Sequence, residues 1–198
     1  MILNEVDDNV ARFLDELENN CSDILNVLRE TNQVLWRGVS SAQKQYYKTQ
    51  PRTNRVPLNT PEIIHLKVDN WLGDHGFSAK RTNSMFVSSS VTVAHNYGEL
   101  YFAFPSNGFD YTWFEKSYDL YDEIPYNIYD NYKNPAFIKN FMDGQIDKWL
   151  TNMAPRQDNI QEAIIKHKEI MLSSTPVYLL KRHDFFDIVH SRFGLGTF

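Results

Sequence analysis

The chain has 198 residues, with 20 Lys and Arg against 25 Asp and Glu, for a formal charge of -5. That length fits a single domain with a substantial core, and the acidic balance argues against a surface built throughout to neutralise nucleic-acid phosphates. One cysteine, Cys21, excludes an intrachain disulfide and a cysteine cage for zinc; packing is its plainest role, and a reducing compartment is expected.

The N-terminus "MILNEVDDNVARFLDELENN" has acids where a secretion signal has a basic start and an apolar run. No window approaches the roughly 20 apolar residues of a membrane span, so a soluble, cytoplasmic protein without membrane contact is expected. Val6, Val10, Phe13, Leu14 and Leu17 recur at helical spacing, followed by Ile24, Leu25, Val27 and Leu28. Two consecutive helices are predicted, the second capped by Ser22 or Asp23 and ending near Thr31 and Asn32. The β-branched and aromatic run "QVLWRGV" then predicts a strand. A polar stretch up to Thr60, holding Lys44, Lys48, Arg52 and Arg55, reads as a long loop of the kind that is usually functional or mobile.

Pro61 and Glu62 open a third helix through "EIIHLKVDNWLGDHG". A short strand enters the serines of "MFVSSS", a short helix follows over "VTVAHNYG", and "ELYFAFP" is a strand stopped by Pro105. Eight of the eleven tyrosines lie between Tyr97 and Tyr132, and the segment from Phe109 to Tyr132 is aromatic and acidic. "NPAFIKNFMDGQIDKWL" reads as an amphipathic helix and Asp158 to Lys166 as a short helix or turn. "KEIMLSS" and "PVYLLKR" are two strands, and the chain closes on a loose "FGLGTF". Helices first, then strands with short helices between them, predict a single α+β domain with a mainly antiparallel sheet.

Generic motifs are absent: no P-loop, no dinucleotide glycine fingerprint, no HExxH and no nucleophile elbow. The six histidines show no recurrent ligand spacing, so no metal is expected. Three features remain. Arg37 stands in a strand beside Gly38, whose missing side chain would admit a ligand to the backbone. Ser88, Ser89 and Ser90 end another strand, and Glu169 begins an apolar one. Each alone has a plainer reading, as a salt-bridged arginine, a turn or cap, and a strand-edge charge.

In this order the features are more telling. "LWRG", then "FVSSSVTVAHNYG", then "KHKEIML" resembles the mono-ADP-ribosyltransferases of the arginine-serine-glutamate class, with serine in place of the central threonine of their Ser-Thr-Ser motif. The segments "RTNRVPLNT", "RTNSMFVSSS", "HNYGELYFAFP" and "YDLYDE" look like bacteriophage-type members of that superfamily. The resemblance covers roughly residues 33–182, the expected catalytic core, and leaves the helical segment 1–32 outside its specific part.

The resemblance implies an ADP-ribosyltransferase-like fold, a mixed, mainly antiparallel split sheet, and NAD as co-substrate. Glu169 would stabilise an oxocarbenium-like transition state, and Ser88 would hold Glu169 in place. Arg37 would pair with NAD phosphates through two parallel hydrogen bonds, and Gly38 would present its backbone to the nicotinamide amide. Ser90 is a second candidate on the serine strand, and Tyr97 would stack on nicotinamide or pack in the core. Where arginine-modifying members carry Glu or Gln two residues before the catalytic Glu, this chain has His167, read either as a general base toward the acceptor or as a solvated histidine. The acceptor would be a host protein, or alternatively nucleic acid, in a bacterial cytoplasm. NAD hydrolysis without a dedicated acceptor and an inactive interaction module are the alternative functions.

Overall fold

Residues 8–41, 44–56 and 60–196 are described by a computed structural model. Two helices come first, α1 (Asp8–Asn20) and α2 (Ser22–Thr31), followed by β1 (Trp36–Val39), β2 (Tyr46–Thr49), α3 (Glu62–Asp74), β3 (Met85–Ser88), α4 (Val91–His95), β4 (Glu99–Pro105) and β5 (Asp110–Phe114). The second half adds α5 (Tyr126–Asn131), α6 (Pro135–Asn140), α7 (Met142–Met153), β6 (Pro155–Arg156), α8 (Ile160–Ile165), β7 (Glu169–Ser173), β8 (Val177–Lys181) and α9 (Arg182–Phe193). Val6, read as part of the first helix, lies outside the described residues.

α2 ends where the sequence suggests. Asn32 turns left-handed at φ 51°, and the amides of Asn32 and Gln33 close on the carbonyls of Arg29 and Leu28. The stretch read as one long loop contains β2, because Tyr46 to Thr49 pair with Leu180 to Val177 of β8; a partner strand, not an apolar period, makes it a strand. The helix expected over 134–150 is two. Asn134 caps α6 through the amides of Ala136 and Phe137, and the chain then restarts as α7 after Phe141. After β8 the chain forms α9, a helix that the sequence reading did not include, in which Phe185, Val189 and Phe193, four residues apart, share one buried face.

The fold is α+β, with eight strands and nine helices among the described residues. The strands form one sheet in the order β2-β8-β4-β1-β3-β7-β5-β6, and every pair is antiparallel where a mixed sheet was expected. The sheet is continuous but narrow at its middle: β1 meets β3 at the single pair Trp36↔Ser88.

Two cores flank the strands. Along β3 and β7, Val87, Ile170 and Leu172 enter the larger core with α1, α2, α8 and α9, while Phe86 and Met171 enter a second core with α3, α5 and α7. This is the two-residue alternation of a strand buried on both faces. Leu14, Leu17, Ile24, Leu25 and Leu28 are almost fully buried, so the N-terminal helices are part of the larger core. No helix is long and apolar enough to cross a membrane among the described residues.

Candidate functional site

Ser88 and Glu169 are cross-strand partners in the β3–β7 register, and Ser88 is also the residue at which β3 meets β1. By strand alternation both side chains stand on the face of Phe86 and Met171. Three strands therefore bring Arg37, Ser88 and Glu169 to one place, a cleft of about 1060 Å³ that all three line. Its size is at the upper end of ordinary small-molecule sites.

Arg37 is anchored by a 2.7 Å hydrogen bond from Nη1 to the Phe86 carbonyl, and its remaining donors are free of that bond. Gly38 lies on the cleft wall, but the room left by its missing side chain is already filled. A Cβ there would stand 2.0 Å from the Ala94 carbonyl oxygen and 2.8 Å from Tyr97 Cβ. The glycine thus admits α4 against β1, and only its backbone faces the cleft.

The serines divide their work. Ser88 Oγ donates to the His167 carbonyl at 3.4 Å and accepts the Ser90 amide at 3.1 Å, so the hydroxyl read as Glu169's support is bonded to backbone groups of both β7's lead-in and its own chain segment. Ser90 Oγ accepts from Val93 N–H and caps α4. Ser89, named with its neighbours but given no role of its own, is buried and donates to the Ile164 carbonyl at 2.6 Å. With its proton committed there, its oxygen accepts a hydrogen bond from His167 Nδ1–H at 2.9 Å. His167, exposed and at φ 54°, is held on the Ser89 side and is not among the residues lining the cleft.

Tyr97 does line the cleft. Its hydroxyl donates to Asp119 Oδ2 at 2.7 Å, and the Tyr121 amide donates to Asp119 Oδ1 at 2.9 Å. The Tyr-rich segment therefore contributes an acid and a tyrosine to the cleft, while its Leu120 and Ile128 fill the second core. The basic loop also divides. Lys44, Arg52 and Arg55 line the cleft, whereas Lys48 pairs with Glu16 at 2.7 Å.

Arg81, which opens the segment "RTNSMFVSSS", has no role of its own in the sequence reading. Only 7% exposed, it lines the cleft, and its Nη2 donates to Thr60 Oγ1 at 3.3 Å. Its position is set from beneath: the Asp69 carboxylate accepts the amides of Arg81 at 2.7 Å and Thr82 at 2.9 Å. The Arg55 amide donates to the Thr82 carbonyl at 2.9 Å, which pins the basic loop to the same turn. Beside them His65, 1% exposed, has its pKa lowered by burial and is neutral at neutral pH.

Five basic residues and two acids line the cleft of a chain whose formal charge is -5. Glu169 is pushed up to about 8, first by burial and then by Asp119, against the pull of Arg81, Arg55 and Arg37. Burial wins over three guanidinium groups, so at neutral pH the carboxyl is mainly protonated and poised to ionise. Burial also lowers Arg37, raises the Tyr97 hydroxyl and pushes the Cys21 thiol, in the larger core and not among the cleft-lining residues, up to about 12. No group of three or more His, Cys, Asp or Glu that could hold a metal ion occurs among the described residues.

The chain matches no protein-family model, no curated protein and no solved structure.

Proposed function

We propose that this protein is an ADP-ribosyltransferase-like enzyme that cleaves NAD at the nicotinamide–ribose bond and transfers ADP-ribose to a macromolecular acceptor. The observation that carries the reading is one carboxyl group, Glu169, on a strand floor facing three arginines across a cleft large enough for a dinucleotide. Breaking the glycosidic bond leaves positive charge on the ribose, and a carboxylate aimed at it lowers the barrier. NAD and the acceptor's X–H group give ADP-ribosyl-X, neutral nicotinamide and a proton. Arg37 and its neighbours would hold the phosphates, and Tyr97, which lines the same cleft, would stack on the nicotinamide ring. Glu169 is needed ionised, and the positive nicotinamide ring of bound NAD favours that form.

The acceptor would be a host protein, with nucleic acid as the alternative, in keeping with the bacteriophage-type resemblance. A second reading, NAD hydrolysis with water as acceptor, is favoured by one observation: the residue at the acceptor-orienting position, His167, is bonded to Ser89 away from the cleft.

The test is incubation of purified protein with labelled NAD and bacterial lysate. Label on protein supports transfer to protein, label on nuclease-sensitive material moves the acceptor to nucleic acid, and free ADP-ribose alone supports hydrolysis. Absence of both nicotinamide release and NAD binding overturns the proposal.

A further inference from the structure

Arg55 and Arg81 lie over one ring. The Arg55 guanidinium carbon is 4.0 Å from the Phe86 centroid and that of Arg81 is 5.4 Å from it, and the Phe86 carbonyl holds Arg37. Arg55 Nη1 and Arg81 Nε are buried and meet no hydrogen-bond partner among the described residues. Buried charged donors left without acceptors are costly, and native proteins rarely keep them unless something fills the role.

No carboxylate fills it. Arg55 is pulled down to about 10 by burial and by the like charges of Arg81 and Arg37, and so stays cationic at neutral pH. Glu169, the nearby acid, is mainly protonated there. Asp69 is spent on the backbone amides beneath Arg81, which fixes where that side chain starts. The two guanidinium groups are thus pre-positioned by an aromatic plate, a carboxylate under the turn and the Arg55–Thr82 backbone bond.

We propose that Arg55 and Arg81, with Arg37, form a clamp for the diphosphate group of a nucleotide ligand. Two unpaired donors on two separate guanidinium groups suit two adjacent phosphoryl groups better than one, and planar forks suit phosphate oxygens. The inference deepens the proposed function, with which it shares the cleft, but it does not require nicotinamide chemistry.

Titration calorimetry at fixed ionic strength, with inorganic pyrophosphate, ADP, phosphate and AMP as probes, tests it. ADP and pyrophosphate should bind at least about tenfold tighter than AMP and phosphate. Arg55→Gln and Arg81→Gln should each weaken ADP by about ten- to a hundredfold, the effect of losing a charge-assisted hydrogen bond. Lys48→Gln, in β2 and outside the cleft, should leave ADP binding unchanged. Should Arg81→Gln fail to fold, Arg55→Gln and the wild-type preference for ADP over AMP still decide the matter. Equal affinity for mono- and diphosphates, or folded Gln variants that bind ADP as wild type does, overturns the clamp. If ADP binding needs these arginines while NAD is not cleaved, the transfer reading fails and the clamp stands. If NAD is cleaved with an unchanged KM in both variants, the clamp alone fails.

Discussion

At the scale of single residues, Glu169 sets two opposed demands on pH. Its carboxyl, ordinarily near 4.5, titrates at about 8 in the fold. Between those values the folded chain holds a proton that the unfolded chain has lost, so stability falls as pH rises through this window and is level above it. Glu169→Gln removes the slope: its melting temperature should match wild type near pH 5 and exceed it at pH 8, as thermal unfolding at both values would show. Activity runs the other way. If the proposed reaction holds, the carboxylate is the form that would stabilise ribose charge, and kcat/KM for NAD should rise with pH with an apparent pKa near 8 in the free enzyme. Glu169→Gln should retain NAD binding and lose about 100-fold or more in turnover, measured as nicotinamide release.

The sequence made Arg37, Ser88 and Glu169 visible because each stands at a defined position of a strand whose β-branched and aromatic residues announce it. Arg81 was hidden for the opposite reason. It lies in a polar turn between α3 and β3, and its placement depends on Asp69, twelve residues earlier, and on the ring of Phe86. His167 was legible as a departure from pattern, but which side of the strand its ring would take depends on Ser89 and the Ile164 carbonyl.

At the scale of elements, two contacts hold the cleft walls. Gly38 lets α4 lie on β1, and a methyl group there would have to displace backbone at 2.0 Å. Gly38→Ala should therefore lose about 2 kcal/mol or more of stability by overpacking and shift Tyr97 from the cleft, seen as a lower denaturation midpoint with weaker NAD binding. Asp69→Ala frees the amides of Arg81 and Thr82 and should lose about 3 kcal/mol, the effect of two charge-assisted bonds in a buried turn. The position of α3 and its register were legible from Pro61 and the apolar residues after it; that one of its acids faces inward to a turn was not. Likewise β2 has no signature of its own, since its two tyrosines sit between polar residues and acquire strand geometry only from β8.

At the scale of the molecule, the N-terminal helices and the sheet share one core. Leu14, Leu17, Ile24, Leu25 and Leu28 are each at most 2% exposed, and at about 2 kcal/mol apiece their burial amounts to about 10 kcal/mol, comparable with the whole net stability of an ordinary domain. A chain beginning at residue 33 should consequently fail to fold, which circular dichroism and solubility would report, although the family resemblance begins there. Fold class was legible from the run of elements. That the sheet is wholly antiparallel and narrows to Trp36↔Ser88 was not, since pairing across nonconsecutive strands leaves no local mark.

The charge reversal between surface and cleft has a kinetic consequence. A chain with a formal charge of -5 slows the approach of any anion from a distance, yet the cleft's five basic residues draw it in at short range. At low salt the outer repulsion reaches far, and near physiological salt it decays within about 8 Å while the field inside the walls persists. The association rate of an anionic nucleotide should accordingly respond weakly to salt, or even rise with it before falling, whereas its dissociation rate should rise steadily; stopped-flow measurements over a salt series would separate the two, and a steep monotonic fall in the association rate would contradict this balance.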